Sequence, residues 1–532
     1  MKRLVALILT AVLALGMIPF AGAAFTDADK IAAGHKEAVT YVSEKKVISG
    51  FPDGSFQPQG TLTRAQAAKI LCVALEGADK AEALTKTDTG FSDVPASHWA
   101  AKYVAYCAEK GIVAGVGDGK FAPDAALTAA AFGKMLLVAY GKAKAETLVG
   151  KDWIVNTQKA MRQDNMKEGL DTIGNEPTTR ENACHMAYNF IEFDEIAKAD
   201  PEKYKETTIS FTDGKNYRVL GRAWQDKDGV VCDYSADGVE FTLDCVGDIV
   251  LTCNASEKQG TTLKYRVIVD GVPSDQVNFK VGGEESLTVI GKRIQPGLHT
   301  IRILKDTQVS HSKDTLKSIT LRCAADTMKA TQPKKRMIEV IGDSSTAGYG
   351  AVVTSTPNTT KNSSSITLSY AYLVPDALDA DWEMCVKGSL GVVRQTGEPP
   401  YNYAELYEYR NRWRDPDTRF PFERKADLVL LKISGNDNSV DVAEWKAAMT
   451  KFIEVIRSYH GADTPVVFWG QTGLKKRPYA QELMKEIPNL YGVFSKGNND
   501  GMGGHPSAEA QKRFTEEILK VVRPIWEALD KK

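Results

Sequence analysis

Lys335-Arg336-Met337-Ile338-Glu339-Val340-Ile341-Gly342-Asp343-Ser344-Ser345-Thr346-Ala347-Gly348-Tyr349-Gly350 is the stretch on which the fold of the C-terminal third turns. Residues 335–341 read as a strand, Gly342-Asp343-Ser344-Ser345 follows at once, and a glycine-bearing helix start comes next. A serine placed where a buried strand meets a helix N-terminus is presented at the carboxyl edge of a sheet. Free N–H groups lie close by and can hold an oxyanion. Gly-Asp-Ser alone is common by chance, so its meaning depends on what surrounds it.

Residues 335–530 alternate strands and helices, the pattern of an α/β domain. A second apolar run, Ala426-Asp427-Leu428-Val429-Leu430-Leu431-Lys432-Ile433, ends in Ser434-Gly435-Asn436-Asp437, where Asn436 can donate a side-chain N–H to an oxyanion. Between the two, Asp381-Trp382-Glu383-Met384-Cys385-Val386 leads into Lys387-Gly388-Ser389-Leu390-Gly391, which offers a glycine N–H for the same purpose. A serine nucleophile needs a base, and histidine has the suitable pKa. Of the seven histidines only His460 and His505 lie in this third. His460 ends a helical run, where it complements the dipole, and reads as structural. His505, in Gly503-Gly504-His505-Pro506-Ser507, is the better base. There is no H-E-x-x-H and no paired C-x-x-C, so neither a catalytic metal nor another cofactor is expected. The polar stretch 354–365 either rims the substrate cleft or is a plain surface loop. Tyr401, Tyr403, Tyr407 and Trp413 either stack on sugar rings or pack in the core.

Gly-Asp-Ser, Gly, Gly-Asn-Asp and His-Pro-Ser, in this order, resemble the SGNH (GDSL-like) hydrolases. More closely, residues 207–532 resemble carbohydrate esterase family 2, which removes acetyl groups from plant polysaccharides such as xylan and glucomannan. Leu220-Gly221-Arg222, Val239-Glu240-Phe241, Val269-Asp270-Gly271 and Gly297-Leu298-His299-Thr300 are similar to that family's N-terminal jelly roll, and 341–350 to its nucleophile block. The resemblance implies a flavodoxin-like three-layer α/β domain over 335–532. It makes Ser344 the nucleophile, His505 the general base and acid, and the Ser344 amide, Gly388 and Asn436 the oxyanion hole, with Gly391 the runner-up glycine. One departure matters. These enzymes usually carry an Asp two or three residues before the histidine, where this chain has Gly503 and Met502. Losing that carboxylate from a full triad can cost on the order of 10⁴ in rate. A backbone carbonyl can orient the imidazole instead, and some members of the family work as Ser-His dyads. A dyad is therefore expected here, with Asp500 the less favoured substitute. Two rivals stay open: a non-catalytic glycan-binding surface protein, and an esterase acting on the cell's own wall polymer.

Upstream, 205–325 turns to short alternating runs such as Val239-Glu240-Phe241-Thr242-Leu243 and His299-Thr300-Ile301-Arg302-Ile303-Leu304, the texture of a β-sandwich. Four of the eight cysteines fall there, and buried thiols are the favoured reading over a bridge.

The N-terminal third repeats itself. Phe25-Thr26-Asp27, Gly50-Phe51-Pro52-Asp53-Gly54-Ser55-Phe56-Gln57-Pro58 and Thr63-Arg64-Ala65-Gln66 return as Phe91-Ser92-Asp93, Gly115-Val116-Gly117-Asp118-Gly119-Lys120-Phe121-Ala122-Pro123 and Thr128. A third, degenerate copy keeps Trp153 and Thr178-Thr179-Arg180-Glu181-Asn182-Ala183. Each reads as helix, tight turn, helix, with the first helix closed by glycine and Thr63 and Thr179 as N-caps of the second. These units (25–77, 91–141, 148–192) resemble S-layer homology repeats. That resemblance implies an all-α pseudo-threefold trimer that binds secondary cell-wall polymer, with Arg64 and Arg180 on the anionic glycan. The second copy has Ala129 where the arginine is expected.

Residues 1–23, with Lys2 and Arg3 before an apolar run and Ala21-Gly22-Ala23, read as a secretory signal peptide. The product is expected to be exported to the bacterial cell wall, with no membrane association after cleavage. Over 532 residues, Lys+Arg 67 against Asp+Glu 68 excludes the basic footprint of a nucleic-acid binder. At 43% hydrophobic the chain can build proper cores.

Overall fold

A computed structural model describes residues 25–529 except 163–165, 167–169, 171–173, 256–262, 281, 290–293, 308–313, 353–362, 394–400, 413–414, 433–434 and 498–499. The expected signal peptide, most of the polar stretch 354–365, and Trp413 lie outside the described residues. The chain divides into two units, meeting in sequence between Ala199 and Asp200.

The first unit is helical: α1 (Lys36–Glu44), α2 (Arg64–Glu76), α3 (Ala101–Glu109), α4 (Ala129–Ala139), α5 (Trp153–Arg162) and α6 (Arg180–Lys198). Thr63, Thr128 and Thr179 cap α2, α4 and α6, each accepting the backbone N–H three residues on. Thr63 and Gln66 complete a capping box. The segments ahead of these helices close a ring of backbone hydrogen bonds. Leu62 N–H donates to the Thr178 carbonyl at 3.1 Å, Thr178 N–H to Leu127 at 2.9 Å, and Leu127 N–H to Leu62 at 2.8 Å. The helix starts close a second ring in the opposite sense, Arg64 N–H donating to the Ala125 carbonyl, Ala129 to Glu176 and Arg180 to Gly60. Buried donors at three helix ends are thus satisfied by the neighbouring repeat, so no repeat is complete alone. Among the described residues, the expected glycine closes the first helix of the second repeat, at Gly111 (φ 68°); in the first repeat Lys46 (φ 57°) holds that left-handed position.

The second unit begins with an antiparallel β domain containing β1 (Lys205–Ser210), β2 (Gly238–Ala255), β3 (Leu263–Val269), β4 (Ile294–Lys305) and β5 (Asp314–Cys323). The first half of β2 pairs with β4, Gly238 opposite Leu304, and the second half with β5, Ala255 opposite Asp314. Its odd-numbered residues Val239, Phe241, Leu243, Cys245, Ile249, Leu251 and Cys253 all enter one core, as a period of two requires. All eight cysteines are buried and free, Cys245 opposite Cys323 included.

A parallel sheet follows: β6 (Met337–Gly342), β7 (Asp381–Val386), β8 (Leu428–Lys432), β9 (Val466–Gln471) and β10 (Leu490–Ser495), in the order β7-β6-β8-β9-β10. One face packs on α7 (Tyr370–Ala377) and α10 (Ala508–Leu529). The other packs on α8 (Val442–His460) and α9 (Arg477–Glu486). The strand order reverses between β6 and β8, which opens a crevice at their carboxyl ends. The β domain is joined to this sheet by a buried ion pair, Arg222 to Glu339 on β6 at 3.0 Å.

Candidate active site

β6 ends at Gly342, and the helix expected after Ser344 does not form; a single tight turn takes its place. Thr346 and Ala347 N–H donate to the Asp343 carbonyl at 3.0 Å each, and Tyr349 N–H to Ser344. Gly348 (φ 71°) and Gly350 (φ 83°) then bend the chain away. A Cβ on Gly348 would stand 2.0 Å from the Ser365 carbonyl oxygen, and one on Gly350 2.9 Å from the His505 Cβ. The close approach of His505 to this turn therefore needs glycine. Asp343 and Gln511 are among the side chains that brace the turn. Asp343 accepts Ser345 N–H at 3.1 Å and pairs with Lys432, at the end of β8, at 2.6 and 2.7 Å. Gln511 of α10 donates to the Ser345 carbonyl at 2.7 Å.

His505 Nε2 lies 3.0 Å from Ser344 Oγ, and its Nδ1 lies 3.1 Å from the Gly503 carbonyl. A carbonyl can only accept, so the ring proton belongs on Nδ1 and Nε2 is left to take the serine proton. The Tyr349 ring packs edge-on against the imidazole at 5.4 Å. Asp500 is turned to another partner: its carboxylate accepts Ser507 N–H at 3.1 Å, at the entry to α10. That hydrogen bond holds Asp500 below its ordinary carboxylate value.

The loop after β7 meets the loop after β8. Asn436 donates one side-chain N–H to the Leu390 carbonyl at 2.8 Å, leaving the amide its second N–H. Asp437 accepts Val392 and Val393 N–H at 2.8 and 3.2 Å. A Cβ on Gly391 would sit 2.1 Å from an Asp437 oxygen, so Gly391 is glycine to admit that carboxylate. Gly388 is buried directly after β7. His460 is built into the core, with Nε2 2.7 Å from Glu339 and 2.9 Å from the Tyr407 hydroxyl, and Nδ1 accepting Ala426 N–H at 3.1 Å. Tyr403 and Tyr407 are core residues, whereas Tyr401 is half-buried under the Arg412 guanidinium.

In the helical unit, Arg64 donates to the carbonyls of Phe121 and Ala114 at 2.7 Å each and lies over the Phe121 ring. Arg180 donates to Phe56 and Ser49 at 2.8 and 3.0 Å and is only 3% exposed. Each arginine reaches the Asp-Gly turn of the next repeat, and burial pulls the pKa of both guanidiniums down. Sequence reading missed Lys432 and Gln511, and it allowed for a backbone carbonyl on His505 without naming that of Gly503. The two side chains carry no motif, and a backbone acceptor leaves no trace in residue identity.

Comparison with known proteins agrees with this division. The S-layer homology domain family matches residues 24–68 and 90–132. An acetylxylan esterase / glucomannan deacetylase of Cellvibrio japonicus is 25% identical over 308 residues, which cover 51% of this chain and 84% of that one. The solved family two carbohydrate esterase of Cellvibrio japonicus superposes with TM-score 0.53 at 21% identity, over 61% of this chain and 99% of that one. A family two carbohydrate esterase of Clostridium thermocellum, solved in complex with cellohexaose, gives TM-score 0.50 at 20% identity, over 58% of this chain and 98% of that one. The chain spans less than a quarter of the length of the first curated bacterial surface proteins it matches. It thus joins S-layer homology repeats to a β domain and an α/β domain with the fold of the family two esterases.

Proposed function

We propose that the chain is a cell-surface carbohydrate O-acetyl esterase working through a Ser-His dyad, held at the wall by its helical repeats. Ser344 Oγ attacks the acetyl carbonyl while His505 Nε2 takes the serine proton. N–H groups of Ser344, Gly388 and Asn436 hold the oxyanion. The C–O bond to the sugar then breaks, His505 returns the proton to the leaving sugar oxygen, and acetyl-Ser344 remains. Water, deprotonated by His505, attacks the acetyl carbon; acetate leaves and Ser344 recovers its proton. The Gly503 carbonyl does the orienting work of a triad carboxylate. The observation that carries this reading is the 3.0 Å contact between His505 Nε2 and Ser344 Oγ.

On the helical unit, Arg64 and Arg180 mark two sites for anionic wall polymer, and the repeat with Ala129 lacks the third. Support comes from the family match and from the repeated placement of both guanidiniums on an Asp-Gly turn.

Hydrolysis of 4-nitrophenyl acetate by the wild type, Ser344→Ala and His505→Ala tests the esterase reading; undiminished turnover in either variant sinks it. Acetate released from acetylated xylan but not from purified wall identifies an external polysaccharide as substrate, and the reverse result identifies the cell's own polymer. The missing carboxylate on His505 favours one second reading, a non-catalytic glycan binder. Tight binding of acetylated glycan with no acetate released from any ester would select it.

A further inference from the structure

Tyr403 stands out among buried groups that the mechanism leaves unused. It is fully buried, and its hydroxyl forms its hydrogen bonds with backbone groups. It donates to the Gly342 carbonyl and accepts Lys387 N–H at 2.9 Å, with the Lys387 carbonyl at 3.1 Å. Gly342 ends β6, two residues before Ser344, and Lys387 follows β7, one residue before Gly388. Tyr403 N–H also donates to the Gly391 carbonyl at 3.1 Å. The hydroxyl is therefore tied to the strand end that leads to Ser344 and to the start of the loop that carries the candidate oxyanion glycines, and the backbone N–H of the same residue holds the loop's far end. Its own placement is stiff. Asn402 and Glu405 form a capping box around it, and its ring packs on Phe452 of α8 at 6.3 Å. Burial pushes its phenol well above the usual value, so the hydroxyl stays protonated and able to donate.

We propose that Tyr403 is a positioning residue for ester hydrolysis, its hydroxyl setting the gap between Ser344 and the oxyanion donor of the 387–391 loop. The role rests on the esterase reading above. Oxyanion stabilisation depends on donors held where charge develops in the transition state, so a shift of one strand end acts on kcat more than on substrate binding.

The full chain, Ser344→Ala, Tyr403→Phe and Phe452→Leu are compared on 4-nitrophenyl acetate, with kcat referred to titrated active sites. Inhibition by phenylboronic acid, which adds to a serine hydroxyl as a tetrahedral oxyanion mimic, is measured alongside. Tyr403→Phe is expected to fold, to lose about tenfold or more in kcat with KM within about twofold, and to weaken the boronic acid by a similar factor. Phe452→Leu, which touches the ring but not the hydroxyl, is expected to lower the melting temperature and to keep its kcat. Tyr403→Phe with kcat and boronate affinity near wild type overturns the role, as does an equal loss in Phe452→Leu. Failure of Tyr403→Phe to fold also overturns it, because the hydroxyl would then belong to the framework rather than to the site. If the wild type is inactive, or Ser344→Ala is as active as wild type, the esterase reading fails first and takes this role with it. With those two controls holding, an unchanged Tyr403→Phe removes the role of Tyr403 alone.

Discussion

His460 and His505 belong to one domain and have exchanged what a simple expectation assigns them. His460 has the carboxylate partner of a triad histidine, Glu339 at 2.7 Å, and is shut in the core with Tyr407. Among the described residues, His505 has a backbone carbonyl and no carboxylate on Nδ1, yet its Nε2 faces Ser344. On the proposed esterase reading, the difference teaches that the carboxylate is not what marks the base. Glu339 already pairs with Arg222 and accepts from His460 in a buried polar joint beneath the β domain, so its carboxylate is committed to packing. What marks His505 as the proposed base is reach to Ser344 Oγ, obtained here by a Gly-rich loop and by Gly350 lying against it.

Replacing each histidine in turn breaks the comparison most sharply. His505→Ala is expected to lower kcat/KM on an acetyl ester by at least about 10³-fold at an unchanged melting temperature. His460→Ala is expected to do the opposite. It leaves kcat per folded enzyme near wild type and costs roughly 3 kcal/mol of stability in urea unfolding, because Glu339 loses a buried partner. Equal kinetic losses in both variants would erase the distinction.

Glu383 sharpens the comparison through pH. It lies on β7 beside the Glu339 cluster, and burial pushes its carboxyl up from 4.5 to about 8. With its folded value above its unfolded one, the native state binds the extra proton between these two pH values. Stability therefore falls as pH rises through that window. Glu383→Gln is expected to flatten the decline and to be more stable than wild type at pH 8, with no change in the pH profile of kcat. A stability curve of unaltered slope would contradict that account.

The smallest effect is expected at Asp500. Its carboxylate contacts Ser507 N–H rather than His505, so Asp500→Ala should change kcat by less than about twofold and cost about 1 kcal/mol as a lost helix-entry contact. A loss of a hundredfold or more would make Asp500 the orienting acid after all.

These residues also mark how far the sequence could be read. The order of strands and helices, the β-rich middle and the repeated helix starts follow from periodicity and capping chemistry, which are local. Ser344 and His505 stood out because a strand-to-turn serine and a histidine in a glycine-rich loop each carry a local signature. The turn after Ser344 was misread as a helix because Gly348 and Gly350 answer to contacts with Ser365 and His505, distant in sequence. Tyr403 reads as either a sugar-stacking or a core aromatic, since its hydroxyl's partners are backbone groups at the ends of two strands. Arg64 and Arg180 were legible as residues, but their carbonyl partners on the next repeat were not.

Trapping the covalent intermediate tests the central claim most directly. The chain is mixed with 4-nitrophenyl acetate, quenched in acid within the first turnovers, digested and examined by mass spectrometry. The account predicts an acetyl group on the Ser344 peptide that forms and decays at rates consistent with kcat, and no such adduct in Ser344→Ala. Steady hydrolysis with no acetyl group at Ser344, or with the acetyl group on another residue, would contradict it.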